Sequence, residues 1–209
     1  GGAWFPPTLV SGNYNSWSPK IGLVYDLKPN WQLFGNISRS SEVPSFGEGT
    51  AVTNFASVRP QTATTVELGT RGKDVHYKWD VAVYRASLAD ELQCLAVAMG
   101  MCSVSNVNST IHQGVEAGFG FALLRSVFLN TQGYQDQIWI NTAYTYSDFR
   151  FDHDTTFSNN QIPGVPKHYM RGEALYKHPS GFFGGPNVEW APQSYFVDNA
   201  NTFKSPGYA

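Results

Sequence analysis

Apolar and polar residues alternate along this chain in runs of about ten residues, the period of a β-strand with one face in an apolar environment. Lys20 to Lys28 sets Ile21, Leu23, Tyr25 and Leu27 on one face, and Pro29-Asn30 then makes a tight turn. Trp31 to Ser40 sets Trp31, Leu33 and Ile37 against Gln32, Asn36 and Ser38, which predicts a hairpin. Thr64 to Gly72 opposes Val66 and Leu68 to Glu67. After a turn near Lys73-Asp74, Tyr77, Trp79, Val81 and Val83 alternate with Lys78, Asp80, Ala82 and Tyr84. Gln113 to Leu123 opposes Val115, Ala117, Phe119 and Phe121 to Gly114, Glu116, Gly118 and Gly120. Ile138 to Ser147 and Tyr169 to Tyr176 continue the series, and Phe182 to Trp190 is the last full strand. Gly207-Tyr208-Ala209 reads as the start of another.

The count is about eight strands joined by links that alternate between short and long. Short links fall near Pro29, Lys73 and Pro179, with a moderate one near Gly133. Long ones are expected at 41–60, 95–108, 151–166 and 193–206. No helix of any length fits, because Leu88 to Met101 carries Gly, Cys and paired polar residues that suit a folded loop. This is the pattern of an all-β, antiparallel up-and-down transmembrane barrel segment. Trp31, Trp79 and Trp139 each open a strand that leaves a short or moderate turn, so they are expected at one height as an interfacial girdle. The competing reading is a secreted, soluble β-sandwich that binds a ligand such as a carbohydrate through its aromatics. A sandwich usually carries charge on its solvent face. Here the second face is rich in Gly, Asn, Ser and Thr instead.

Composition sharpens this. Charged residues are 14% and aromatics 15% of 209 residues, with a formal net charge of -2. A chain so aromatic and so weakly charged is not disordered, and it offers no basic surface for nucleic acid. No run of about 20 apolar residues supplies a membrane helix, which leaves a barrel open because half of each strand faces a polar lumen. No secretory leader is visible at the start, Gly1-Gly2-Ala3-Trp4, as expected of a mature form or of a stretch that begins within a longer chain.

Four segments carry a family resemblance. Ser38-Arg39-Ser40-Ser41-Glu42-Val43-Pro44-Ser45-Phe46-Gly47-Glu48 resembles the strand-to-loop segment of TonB-dependent outer-membrane receptors. Arg59 to Gly72 is similar to that family's next strand, with its "Glu-x-Gly" at Glu67-Leu68-Gly69. Gly114-Val115-Glu116 matches a strand entry, and Ile162-Pro163-Gly164-Val165-Pro166-Lys167-His168 matches the segment before a late barrel strand. Each is weak alone, but the four occur in the family's order. The resemblance implies about eight strands from a plugged barrel of about 22, in its C-terminal half. The plug and the segment bearing the TonB box are then expected outside the chain. So are the last strands. The run from Gly181 to Tyr208 is similar to ferric-citrate-receptor-like barrels. Haem is the poorer fit as cargo. Ser40-Ser41-Glu42-Val43-Pro44 and Val58-Arg59-Pro60-Gln61 stand where haem receptors carry Phe-Arg-Ala-Pro and Asn-Pro-Asn-Leu.

The function implied is binding and import of ferric chelates, siderophores or ferric citrate, across the outer membrane. The energy-transducing TonB complex and the outer-membrane lipid are the expected partners. No catalytic motif is present, and no cofactor or resident metal is expected. Ferric chelates are usually anionic, so cations and aromatics near extracellular strand ends are the candidate ligand-binding residues: Arg39, Arg59, Arg85, Arg150 and Lys167, with Tyr84 and Tyr146. The plainer alternative is that the arginines pair with Glu42, Glu67, Asp90 or Asp148 and fill the wall. Asp152-His153-Asp154 could hold a metal ion but suits a solvated loop as well. Cys94 and Cys102 are the only cysteines, and a disulfide stapling one loop is the preferred reading. The alternative is a soft-metal site with Met99 and Met101.

Overall fold

The computed structural model describes residues 14–44, 58–96, 102–131 and 134–209. Within the strands, the side chains of 94–96, 102–103, 130–131 and 134 lie outside the described set. The described chain is all-strand: β1 (Lys20–Lys28), β2 (Trp31–Glu42), β3 (Gln61–Lys73), β4 (Tyr77–Ala96), β5 (Cys102–Thr131), β6 (Tyr134–Phe151), β7 (His168–Lys177), β8 (Phe183–Gly184) and β9 (Asn187–Trp190) form one sheet. From β1 to β8 each strand pairs antiparallel with its sequence neighbour, and β9 pairs with β7 farther along the same edge. A separate ribbon joins β10 (Tyr195–Phe196) to β11 (Lys204–Ser205). The sheet is an open, up-and-down wall that does not close on itself within these residues.

Register fixes the two faces, because residues directly opposite share a face and neighbours along a strand alternate. One rung runs Leu23–Gly35–Leu68–Val83–Val115–Tyr146, and the rung beside it runs Asn36–Glu67–Tyr84–Gly114–Ser147. The first face is apolar and uncovered: Leu23 is 74% exposed, Ile21 71% and Leu68 60%. An isolated soluble sandwich would bury such a face, and among the described residues nothing lies over it. The second face carries paired polar groups. Asn36 Nδ2 donates to Glu67 Oε2 at 2.8 Å, Arg71 Nε to Gln32 Oε1 at 2.9 Å, and Asn141 Nδ2 to Glu173 Oε1 at 2.8 Å. We call the apolar face outer and the polar face inner.

The short links at Pro29-Asn30, Asp74–His76 and His178–Phe182 gather at one end, which we call the turn end. The turn expected near Gly133 lies outside the described residues, as does most of the 41–60 link. Trp31 and Trp79 meet edge to face on the outer side, with ring centroids 6.2 Å apart, and Tyr77 stacks on Trp79 at 5.7 Å. Trp139 departs from the expected girdle. It pairs with Ala122 and Leu175, so it sits on the inner face between outward-facing Ile138 and Ile140. There it donates to Gln137 Oε1 at 2.6 Å beneath the Lys177 ammonium. Phe119, Phe121 and Tyr176 hold the outer positions beside the two outer tryptophans.

Three expectations are corrected, two at the other end, the loop end, and one within the wall. The 95–108 loop is instead the top of a long hairpin, because β4 and β5 stay paired from Ala89–Ser109 to Ala96–Cys102. Its alternation changes phase at Asp90, which has a left-handed backbone (φ 57°). Ala89 and Ser109 lie on the outer parity, yet Glu91 turns inward to accept a hydrogen bond from Thr110, and Val107 joins an inner core. A period-two pattern that inverts midway is no longer visible as alternation. The 193–206 link contains the β10–β11 ribbon, and Tyr208 only bridges to Ala191. The expected strand Phe182–Trp190 is broken into β8 and β9 at Gly185-Pro186, where Pro186 accepts from the Ala174 amide. A Cβ on Gly185 would come within 1.8 Å of the Ala174 carbonyl, so this close approach requires glycine.

Candidate functional site

The loop end holds the one cluster of buried apolar side chains among the described residues. Val107, Phe151 and Ile162 pack together, with Phe149, Phe157 and Val165 against them. Phe151 is 0% exposed and tilts against Phe157 at 4.9 Å. The 152–167 loop folds back onto β5 and β6 through Phe151 N to Asn160 O and Ile162 N to Phe149 O, both 2.9 Å. Asp154 closes the loop's inner turn by accepting from the Thr156 and Phe157 amides. That commits one carboxylate of the Asp152-His153-Asp154 run to the turn, and no group of three potential metal ligands occurs among the described residues.

The β10–β11 ribbon is strapped onto this loop. Gly164 N donates to Phe196 O at 2.8 Å, with Gly164 at φ 79°. Gln161 and Asn201 exchange two bonds, and Asn160 Nδ2 reaches Asn199 O. The ribbon's turn is nucleated by Asp198, whose carboxylate accepts from the Thr202 and Phe203 amides. Burial pushes the Asp198 carboxyl up, but donation from Phe203 and Thr202 outweighs it and holds the group below the usual range.

Between loop and ribbon lies a cavity of about 460 Å³ lined by Gln161, Lys167, Gln193, Ser194, Phe196 and Lys204. Lys167 precedes β7, and its carbonyl accepts from Ser147 N on the inner rung, which places it on the lumen side. Lys204 holds its ammonium 4.6 Å from the Phe196 ring centroid. Two cations, three neutral polar side chains and one aromatic line this cavity, and no carboxylate does. The arrangement suits an anion with an apolar or aromatic body, because Coulomb attraction draws it in and amide and hydroxyl donors orient it.

The other sequence candidates do not converge here. Arg39, Arg85, Arg150 and Tyr146 fall on the outer parity, because each continues the apolar face past its last aliphatic residue. Arg85 donates to Gln113 Oε1 at 2.6 Å, Gln113 donates to Asp148 Oδ2 at 2.8 Å, and Arg150 lies 3.9 Å from that oxygen. Tyr146 packs against the His168 ring at 5.3 Å. Arg59 is engaged by Asp90 through its guanidinium and clamped at its backbone by Asn106. Tyr84 faces the lumen deeper in the wall, beside Gly114. Only Lys167 lines the cavity. Lys204, Gln161, Gln193, Ser194 and Phe196 escaped sequence reading because a fold-back of the 193–206 link, not strand alternation, delivers them. The Asp198 and Asn201-Thr202 turn chemistry was the signal that could have shown it. The expected Cys94–Cys102 disulfide falls on side chains outside the described residues. In the backbone ladder Cys94 lies opposite Val104 and Cys102 opposite Ala96.

Residues 3–209 match the TonB-dependent receptor-like β-barrel family. The chain belongs to that family. Its sheet and loops are therefore those of a TonB-dependent receptor-like β-barrel. The solved copper transporter OprC superposes with a TM-score of 0.70 at 15% identity, over 91% of this chain and 29% of that one. The unliganded ferric citrate transporter FecA gives 0.68 at 23% identity, with the same coverage of 91% and 29%. The siderophore receptor PiuA from Acinetobacter baumannii gives 0.64 at 20%, over 90% and 28%. The chain thus spans less than a third of the length of these solved receptors.

Proposed function

We propose that this chain is the ligand-facing wall of an outer-membrane receptor that captures an anionic ferric chelate, a siderophore or ferric citrate, for TonB-driven import. The acid-free cavity between Lys167 and Lys204, on the lumen side beneath the loop end, carries this reading. Ferric citrate and a siderophore are the ligands of two of the similar receptors, FecA and PiuA, as their names state. In this reading the outer face seats the wall in membrane lipid, and the loop end faces outward from the cell. The plug and the TonB-contacting segment belong to parts of the receptor beyond these residues. The lysines attract the chelate, Gln161, Gln193 and Ser194 orient it, and Phe196 covers its apolar part.

The test is equilibrium binding of ferric citrate, and of a ferric siderophore, to the whole receptor. Each lysine forms a charge-assisted contact worth about 1.5–3 kcal/mol, so Lys167→Ala with Lys204→Ala should weaken binding by at least a hundredfold. The wild-type affinity should also fall as salt rises. Unchanged affinity for both probes in the double variant would place the cargo site elsewhere.

A further inference from the structure

At the turn end, Lys73 and Lys78 are direct register partners across β3 and β4. Theirs is the one like-charge pair among the described ladders, and like charges so placed repel. Both hold the inner parity, next to the Arg71–Asp80 pair on the same face. Lys78 runs across Gly120, where an added Cβ would meet its Cε at 2.6 Å, so its stem lies on the lumen side. Neither lysine forms an ion pair among the described residues. With Asn30, Gln32, Arg71 and Asp80 they line a cavity of about 450 Å³. Arg71 is already engaged, its Nε donating to Gln32 at 2.9 Å and its guanidinium 5.5 Å from the Phe34 ring centroid. Asp80 is the one carboxylate in the lining, and as the register partner of Arg71 it offsets that charge. The charge left over is that of the two lysines.

We propose that this turn-end cavity is a second, weaker station for the same anionic ferric chelate, which holds it on its way out of the lumen. The inference rests on the reading of the lumen as the path of an anionic chelate entering at the loop end. The two cavities repeat one chemistry: each offers two lysines and side-chain amides, in about 450 and 460 Å³. The inner parity of both lysines sets them away from the membrane lipid. They are exposed, whereas Lys167 of the upper cavity is half-buried, so they draw an anion through water without clamping it. A permeation site must be left as readily as it is entered. An anion lying between the two ammoniums also relieves their repulsion.

The whole receptor is tested in cells with radiolabelled ferric citrate and, separately, a ferric siderophore. Equilibrium binding to de-energised cells reads capture, and maximal uptake by energised cells reads passage. Lys73→Gln with Lys78→Gln should leave the capture affinity unchanged and lower maximal uptake about tenfold, the low end of what a focusing field supplies. Lys73→Arg with Lys78→Arg keeps the charge and should keep the wild-type uptake. Unchanged maximal uptake in the glutamine variant would overturn the station, as would a loss confined to capture or an equal loss in the arginine variant. A glutamine variant that is only less heat-stable, with uptake per folded receptor intact, would also overturn it and assign the lysines to an acidic segment of the receptor itself. A wild-type receptor that binds neither chelate would instead overturn the capture reading, and the station with it.

Discussion

The wall and the loop end are the same chain folded for two different surroundings. In the wall, Leu23, Leu68 and Val83 stand on an uncovered face, and nothing among the described residues buries them. At the loop end, Val107, Phe151 and Ile162 are removed from solvent by their own neighbours, as in any water-soluble core. The wall can therefore tolerate changes of apolar size, because fluid surroundings refill a gap, but it should not tolerate charge. The loop end should behave in the opposite way: a lost ring leaves a cavity, and surface charges matter little.

Three substitutions press on that contrast. Phe151→Ala should cost about 3–5 kcal/mol of local stability. Hydrogen exchange should speed up in the 152–166 loop and the facing hairpin while the wall's amides stay protected; equal deprotection of both would erase the distinction. Val81→Arg, on the outer face of β4 between Trp79 and Arg85, should cost about 2–4 kcal/mol when the receptor is unfolded from bilayers by urea. The loop end's exchange should then be unaffected.

The third acts on a polar contact in the loop end. Glu91 is buried beside Thr110 and His112. Burial pushes its carboxyl up, but the His112 ring 3.4 Å away and the hydrogen bond from Thr110 prevail and hold it below the usual range. A depressed carboxylate stabilises the fold above its unfolded value, roughly 4.3, and that contribution disappears as pH falls through the lower folded value. Glu91→Gln should cost about 1–3 kcal/mol near neutrality and leave the hairpin's hydrogen exchange flat across that acid window. A variant that keeps the wild-type pH response would assign the titration to another group.

The wall was open to sequence reading because its surroundings impose a strict rule on every second residue. Ile21 through Val83 kept their faces, and so did Val115 to Phe121. Trp139 departs because an aromatic beside a turn reads as outward only until its phase is counted against Ile138 and Ile140. The hairpin above Ala89 was unreadable for a different reason. One left-handed residue, Asp90, inverts the pattern, and the far half of the alternation then cancels the near half. The cavity was largely hidden because contacts between the 152–167 and 193–206 segments build it, and only Lys167 carried a charge at a strand end. The outward arginines show the limit of reasoning from charge alone, since residue type says nothing about which face a strand turns to the lumen.

The amide of Asn106 has a mechanical consequence. It donates to both the Arg59 and Asp90 carbonyls and accepts from the Arg59 amide. The chain entering β3 is thereby riveted to both arms of the β4–β5 hairpin. Any load that pushes one of these segments must move the other. The two therefore swing as a single rigid spar, and the stiffness felt at its tip is set by one amide near its base.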